Sequence, residues 1–316
     1  MYRGMKISVV VPAYNEEKLI IPTLQSIPDY VDTVFVVNDG SKDATREKVE
    51  SQILKDKRIV LHNKENGGVG SAIKQGYRLS MDAEQDITVI MAGDHQMDPQ
   101  HMPSLLDPIV DGEADYTKGN RLVDRDTAQG MSSWRYFGNN LLSMMTKISS
   151  GLWQIKDPQN GYTAISNHVF QVMHPSEIFG WYGYCNDMLT RLNMYGFRVK
   201  DVDIPARYGE EKSKISYPVY MYKVSRLLMV DFVMRISYKQ REKNVLLFVV
   251  LLLLTSLASY LGVIFMLDSA VMFPNAFQFL FSAFFASALT LTILGTFYIF
   301  LLVAGAVLLK NKRISI

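Results

Sequence analysis

The stretch ISVVVPAYNEE, residues 7–17, decides the fold, because an apolar run ends abruptly in a polar cluster. The same change recurs in VFVVNDGS, residues 34–41, and in ITVIMAGDHQ, residues 87–96. Strands that are nearly all apolar are usually buried on both faces, as in a parallel sheet covered by helices. Ligands of such sheets bind beyond the carboxyl ends of the strands, so the three clusters are predicted to line one pocket. Carboxylates gathered there suit a divalent cation and a phosphorylated ligand.

Strands and helices alternate along the first two thirds of the chain. Helices are predicted at residues 17–27, 43–54, 69–83 and 99–110. Further strands are predicted at residues 58–62, 114–118 and 198–204. This alternation predicts a mainly parallel α/β sheet with right-handed connections, in one compact domain over residues 1–216.

The C-terminal part of the chain differs sharply in its charge. The chain of 316 residues has a net charge of +2, yet between residues 245 and 309 only Asp268 is charged. Residues 245–267 and 279–309 are each long enough to cross a bilayer, which takes roughly 20 apolar residues. Two such stretches in tandem argue against one buried soluble helix. We therefore predict a two-helix transmembrane hairpin over residues 245–316.

Basic residues predict the orientation of this hairpin. They lie on both of its flanks, at Lys239, Arg241, Lys243, Lys310, Lys312 and Arg313, whereas the link 268–275 contains no Lys or Arg. Because basic flanks stay in the cytoplasm, both termini and the N-terminal domain are predicted there, in a multi-pass protein of the cytoplasmic membrane. Residues 1–6 lead directly into a strand, so no signal peptide is expected. The single cysteine, Cys185, fits a reducing compartment.

Residues 217–244 are predicted to form a juxtamembrane amphipathic helical segment. Arg235, Lys239 and Lys243 recur at four-residue intervals and would form a basic stripe on a helix. The opposite, apolar face is offered by Tyr220, Val224, Leu227 and Leu228. Such a helix either lies on an anionic membrane surface or packs on the preceding domain. Its position beside a predicted span favours the membrane surface.

The glycine cluster NGGVGSA, residues 66–72, excludes two common classes of nucleotide-binding protein. No Lys follows it as a Walker A loop requires, and the G-x-G-x-x-G spacing after a first strand is missing. The glycines Gly67, Gly68 and Gly70 are instead predicted to permit a tight turn into the next helix. The five histidines include no pair at i, i+4 spacing, so a zinc site is not expected.

Six motifs in order carry a resemblance to a known family. They are VVVPAYNEE (9–17), VVNDGSKDAT (36–45), NGGVGSA (66–72), MAGDHQMDP (91–99), KGNR (118–121) and DPQNGY (157–162). Together they resemble the inverting glycosyltransferase family 2, and within it the dolichol-phosphate mannose synthase and polyprenol-phosphate glycosyltransferase group. The resemblance implies a Rossmann-like GT-A fold, a nucleoside-diphosphate-sugar donor, Mg²⁺ or Mn²⁺, and a polyprenyl-phosphate acceptor at the membrane. It implies no nucleic-acid partner; a homo-oligomer through the hairpin is an open possibility.

The resemblance also implies roles for individual residues. The nucleotide-sugar site would comprise Pro12, Ala13, Tyr14, Glu16, Asp39, Gly93, Asp94 and Gln96. Of these, Asp39 would contact the base or ribose, and Asp94 and Gln96 would hold the metal and the diphosphate. The acceptor phosphate would be bound by Arg121, Arg135 and Lys214. Arg121 matches an arginine near both the donor and the acceptor phosphates and is therefore also a catalytic candidate. Asp157 matches the proposed catalytic aspartate, and Asp187, near the start of a predicted helix, is its rival.

One position departs from the family pattern. The usual Asp-x-Asp is here Ala92-Gly93-Asp94, so the first carboxylate is missing. Mg²⁺ tolerates such a site because substrate phosphates and water complete its octahedron. The missing carboxylate leaves one alternative open, a non-catalytic, membrane-anchored nucleotide-binding scaffold. A second, independent alternative is a transferase that uses a saccharide hydroxyl as its acceptor. The aromatic residues Trp181, Tyr182 and Tyr184 either pack in the core or guide a lipid at the membrane side, and core packing is the favoured prediction.

Overall fold

One mixed sheet of seven strands organises this computed structural model, which describes residues 1–121, 133–205 and 217–239. The strands are β1 (Ile7–Ala13), β2 (Thr33–Asp39), β3 (Ile59–Lys64), β4 (Ile87–Ile90), β5 (Tyr116–Asn120), β6 (Thr163–Ser166) and β7 (Val199–Asp203). Their order across the sheet is β3-β2-β1-β4-β6-β5-β7. All neighbours pair in parallel except β6, which is antiparallel to both β4 and β5. The prediction of a mainly parallel sheet is confirmed; β6 was not predicted.

Helices cover both faces of the sheet. In the described part of the chain they are α1 (Ile20–Gln25), α2 (Thr45–Ile53), α3 (Val69–Asp82), α4 (Met102–Val110), α5 (Ser133–Ser150), α6 (Tyr184–Tyr195) and α7 (Tyr217–Lys239). A short 3₁₀ turn, Pro99–His101, precedes α4. The first four lie within the ranges predicted from the sequence. Helices α1 and α2 begin two or three residues later than predicted, α4 begins after the 3₁₀ turn, and α3 begins at the predicted residue.

The core consists of two apolar layers separated by the sheet. Alternate residues of β1 point to opposite faces: Val9 and Val11 contact the layer under α1, α2 and α4, and Val10 contacts the layer under α3 and α6. Every residue of β1 is buried, as expected for a strand covered on both sides. Because β1 pairs in parallel with both β2 and β4, the carboxyl ends of these three strands lie side by side at one end of the sheet.

Helix α7 packs on the preceding domain. Val224 and Leu228 are buried against Leu142 of α5. The first compact unit of the chain accordingly runs from Met1 to Phe232, beyond the predicted boundary at residue 216. The apolar face that we assigned to a membrane surface thus contacts protein along these residues.

The predicted hairpin, residues 245–267 and 279–309, lies outside the described residues. Among the helices that the structure describes, none combines the length and the apolar character needed to cross a membrane.

Candidate functional site

A cavity of about 530 Å³ opens at the carboxyl ends of β1, β2 and β4. Each strand end contributes polar or main-chain groups, as the three clusters in the sequence predict. The lining comprises Pro12, Ala13, Tyr14, Glu16, Asp39, Asn66, Gly68, Val69, Ala72, Asp94, Gln96, Trp181 and Tyr182. It includes every residue predicted for the nucleotide-sugar site except Gly93. The Gly93 backbone instead joins the end of β4 to β1, because its N–H donates to the Pro12 carbonyl at 3.2 Å.

Asp39 holds the glycine turn against the end of β2. Its buried carboxylate accepts hydrogen bonds from the backbone N–H groups of Gly67 at 3.0 Å and Gly68 at 2.8 Å, and forms an ion pair with Lys64. A carboxylate has about four acceptor positions, so these three donors leave capacity for a ligand. Asp39 therefore organises the cavity wall in addition to any contact that it makes with a base or ribose.

The glycine turn needs Gly68 and Gly70 because residues 179–181 pack directly against it. Gly68 has φ +89°, and a Cβ atom there would lie 2.6 Å from Cδ1 of Trp181. At Gly70 a Cβ atom would lie 2.2 Å from the Phe179 carbonyl oxygen. The Ser71 N–H donates to the Gly180 carbonyl at 2.8 Å, which locks the start of α3 to this segment. The turn is thus tight, as predicted, and close packing is a second reason for its glycines.

Asp94 and Gln96 lie together in the cavity. The Gln96 backbone N–H donates to Oδ1 of Asp94 at 3.1 Å, and His95 between them has φ +58°, an uncommon conformation for a residue other than glycine. No group of three His, Cys, Asp or Glu side chains that could hold a metal occurs within the described residues. Asp94 and Gln96 offer hard oxygen ligands, and they fit Mg²⁺ or Mn²⁺ only when a bound diphosphate supplies further oxygens.

Asp157 and Arg121 form an ion pair outside the residues that line this cavity. Nε of Arg121 lies 2.8 Å from Oδ2 of Asp157, and the Arg121 backbone N–H donates to the same oxygen at 3.3 Å. Burial by itself would raise the pKa of Asp157, but the hydrogen bonds from Arg121 and the charges of Arg121 and Lys118 hold that pKa below its ordinary value. Asp157 is therefore ionised at neutral pH and is a weak proton acceptor.

Strand β5 holds the loop that carries Asp157. The buried Lys118 ammonium donates to the Asn160 carbonyl, and the Asn160 side-chain amide donates to the Gly119 carbonyl at 2.7 Å. The Tyr162 N–H in turn donates to Oδ1 of Asn160 at 3.0 Å. These bonds bring the KGNR and DPQNGY motifs together, although about forty residues separate them in the chain.

Asp187 occupies a different environment from Asp157. It is fully buried in the first turn of α6 and pairs with Nε of Arg191 at 3.0 Å. Its Oδ2 also accepts the Phe179 N–H at 2.6 Å, and Arg191 reaches Glu177 at 3.0 Å. Asp187 is absent from the cavity lining. In the structure its carboxylate anchors the segment that leads to Trp181, and a catalytic role for either aspartate stays a prediction.

Two cavity residues were wrongly assigned from the sequence. Trp181 and Tyr182, expected in the core, line the cavity and pack edge to face with ring centroids 4.9 Å apart. The sequence signal for this position is Gly180, a glycine directly before two aromatic residues. No local pattern connects Gly180 with the glycine turn, which lies 110 residues earlier in the chain. Tyr184 is buried as predicted. Lys214 and the side chain of Arg135, predicted near the acceptor phosphate, lie outside the described part of the chain.

Comparisons with known proteins agree with the fold. The sequence model of glycosyl transferase family 2 matches residues 8–172, more than half of the chain. A UDP-N-acetylglucosamine–dolichyl-phosphate N-acetylglucosaminyltransferase from Methanococcus voltae is 26% identical over 247 residues, covering 70% of this chain and 98% of that protein. An undecaprenyl-phosphate mannosyltransferase from Micrococcus luteus is 27% identical over 216 residues, covering 66% and 85%.

Solved structures support the same fold. Glucosyl-3-phosphoglycerate synthase from Mycobacterium tuberculosis, crystallised with Mn²⁺, UDP-glucose and phosphoglyceric acid, superposes with a TM-score of 0.55. The two sequences are 20% identical, and the match covers 73% of this chain and 80% of that protein. At this identity the likeness concerns the fold, and the predicted GT-A fold is confirmed.

Proposed function

Since the chain belongs to glycosyl transferase family 2, we propose that it transfers one sugar, with inversion, from a nucleoside diphosphate to a polyprenyl phosphate on the cytoplasmic face of a membrane. The observation that carries the donor half is the cavity at three strand ends, which is lined by Asp39, Asp94 and Gln96 together with the aromatic residues Trp181 and Tyr182. Its volume of about 530 Å³ lies in the range of small-molecule sites. The acceptor half is supported by the relatives, which are named for dolichyl and undecaprenyl phosphates.

Asp94 and Gln96 would hold the donor's diphosphate through a divalent cation. Mg²⁺ or Mn²⁺ bound there supplies Lewis-acid stabilisation of the leaving diphosphate. Support for a metal comes from the glucosyl-3-phosphoglycerate synthase, crystallised with Mn²⁺ and, separately, with Mg²⁺ and UDP. The missing first carboxylate at Ala92 makes Asp94 the principal protein ligand in the motif.

The proposed reaction needs little help from a base. An oxygen of the acceptor phosphate forms a bond to the anomeric carbon, the bond to the diphosphate oxygen breaks, and its electron pair leaves with the diphosphate. A phosphate monoester has a second pKa of about 6, so the attacking oxygen is already deprotonated at neutral pH. The low pKa of Asp157 agrees with this scheme, because an ionised carboxylate that holds Arg121 serves to orient a phosphate-binding group.

The membrane location belongs to the same proposal. It is supported by the apolar runs at 245–267 and 279–309 and by the basic residues on both of their flanks. A catalytic domain tethered beside the bilayer meets a lipid acceptor at high local concentration. Both termini and the nucleotide-binding cavity would then lie in the cytoplasm.

One experiment tests the function directly. Membranes that contain the full chain are incubated with Mg²⁺ and a panel of labelled nucleotide sugars, and lipids are then extracted. Label in a mild-acid-labile glycolipid supports transfer to a polyprenyl phosphate. Label in a polysaccharide would replace it with transfer to a saccharide hydroxyl, and no turnover of any donor would favour a non-catalytic scaffold. Membranes that carry Asp94→Ala are the negative control, and Asp82→Ala, at an exposed position of α3, is the matched control.

A further inference from the structure

Helix α7 contacts the cavity wall through a lysine. Nζ of Lys223 lies 3.8 Å from the centroid of the Trp181 ring. A cation at this distance is attracted by the negative face of an indole. Beside this contact, the rings of Tyr220 and Tyr182 meet edge to face with centroids 6.4 Å apart. The cavity wall formed by Trp181 and Tyr182 is therefore supported from outside by one helix.

The same indole is fitted closely to the glycine turn. The space that a Cβ atom of Gly68 would need lies 2.6 Å from Cδ1 of Trp181, and the Gly68 N–H is bound to Asp39. Contacts thus run from the end of β2 through the turn to Trp181 and on to Lys223. A shift of the indole would change the shape of the cavity that it lines.

We propose that Lys223 is a positioning residue for donor binding. By holding the Trp181 ring against the glycine turn, it fixes the wall on which the base or sugar of the donor packs. This inference rests on the proposed function, because it takes the ligand of the cavity to be a nucleoside diphosphate. Lys223 itself is exposed and is absent from the cavity lining, so its effect passes through the indole.

A direct attraction between the lysine charge and the donor's diphosphate would also favour binding, and a double-mutant cycle separates the two causes. The full-length protein in detergent is titrated with UDP and with GDP in the presence of Mg²⁺, by calorimetry. The variants are Lys223→Met, Lys223→Arg, Trp181→Leu and the double variant Lys223→Met/Trp181→Leu. Arg226→Met is the matched control, because it removes a second exposed cation from α7.

We expect Lys223→Met to raise the Kd of the bound nucleotide about fivefold, which corresponds to an ordinary cation–π contact. Lys223→Arg, which retains a cation over the ring, restores wild-type affinity, and Arg226→Met leaves it unchanged. The double variant binds like Trp181→Leu alone. If Lys223→Met raises the Kd by the same factor in the wild type and in Trp181→Leu, the proposal is wrong and the lysine charge attracts the diphosphate directly. Equal binding by wild type and Lys223→Met would also overturn it.

Fluorescence supplies a readout of the contact itself. The chain has three tryptophans, so Trp134→Phe/Trp153→Phe leaves Trp181 as the single emitter. A protonated amine against an indole quenches its emission by transferring a proton to the excited ring. Lys223→Met in this background should therefore raise the emission, and unchanged emission would overturn the contact.

Nucleotide binding by the wild type separates this inference from the proposed function. If the wild type binds neither UDP nor GDP, the proposed function and this inference both fail. If the wild type binds nucleotide but the variants do not change its Kd as expected, only this inference fails.

Discussion

The carboxylate of Asp157 meets the guanidinium of Arg121 at two points, with Nε–Oδ2 at 2.8 Å and Nη2–Oδ1 at 3.2 Å. The aspartate side chain is almost fully buried and the arginine side chain is about half exposed. Such a two-point pair fixes the plane of the guanidinium as well as its position. The buried partner thus sets the direction in which the exposed partner presents its charge.

The first prediction concerns that pair. Asp157→Asn retains the shape of the side chain and removes its charge, so Arg121 loses its fixed orientation. We expect kcat to fall on the order of 100-fold with the Kd of the donor unchanged, since misplacing a substrate-binding group by about 1 Å has that effect. Steady-state kinetics and nucleotide titration measure the two quantities. Recovery of kcat at higher pH would assign proton removal, rather than orientation, to Asp157.

The same pair predicts an acid-range change in stability. Because the pKa of Asp157 is lowered in the folded protein, the pair stabilises the fold fully at neutral pH. That contribution is lost as the pH falls from about 4, the ordinary aspartate value, through the lowered pKa. Thermal unfolding of wild type and Asp157→Asn should therefore differ most at neutral pH and converge at low pH. A gap between the two melting temperatures that widens on acidification would contradict the assignment.

Asp187→Asn should act mainly on stability. The substitution removes one of the two carboxylates that pair with the buried Arg191 guanidinium, and Glu177 keeps the other ion pair. Breaking a buried ion pair typically costs about 3 to 5 kcal/mol, and the retained Glu177 pair places the expected loss at the lower end of that range. Asparagine still offers an acceptor to the Phe179 N–H, so we expect the folded fraction to retain more turnover than Asp157→Asn. Chemical denaturation and activity per folded molecule provide the comparison. A well-folded but inactive Asp187→Asn, beside an active Asp157→Asn, would make Asp187 the base.

Asp94→Ala should abolish Mg²⁺-dependent donor binding, because Asp94 is the one carboxylate left in its motif. Calorimetric titration with nucleotide, with and without Mg²⁺, measures this, and Asp82→Ala serves as the control. Ala92→Asp restores the usual motif and should be tolerated, with a shift in the preferred metal. Unchanged Mg²⁺ dependence in Asp94→Ala would remove Asp94 from the mechanism.

Gly70→Ala tests the close packing at the glycine turn. The added methyl group would lie 2.2 Å from the Phe179 carbonyl oxygen, so either α3 or the facing segment must move. We expect a loss of about 1 to 3 kcal/mol in the free energy of unfolding, together with weaker nucleotide binding. Gly138→Ala is the matched control, because among the described residues no atom outside the backbone of α5 lies within 4 Å of its added methyl group. Equal stability of the two variants would show that the turn has room to relax.

The predicted topology is tested by cysteine labelling. In a Cys185→Ser background, a cysteine at Ser269 should react with an impermeant reagent applied to intact cells, and one placed after Lys312 should not. The physical reason is the absence of Lys and Arg from the link, beside basic flanks on both sides. The opposite labelling pattern would invert the orientation.

The sequence by itself determined the strand ends and most of the residues that line the cavity beyond them. Strands such as β1 and β2 are buried on both faces, so their residues are almost all apolar and the polar residues that follow them mark the edge of the sheet. For the same reason the sequence predicts Asp39 and Asp94 in one pocket, and both line the cavity. The family motifs added Arg121 and Asp157, which the structure brings into contact.

Only the tertiary structure decided the features that depend on distant pairings. Strand β6 has four residues and no alternating pattern, and its place between β4 and β5 follows from pairing with both of them. Trp181 lines the cavity because Gly68 and Gly70 allow its segment to approach, and Asp187 forms an ion pair with Arg191 because α6 places the two residues one turn apart. Such contacts arise from the packing of segments far apart in the chain, and no local pattern in the sequence encodes them.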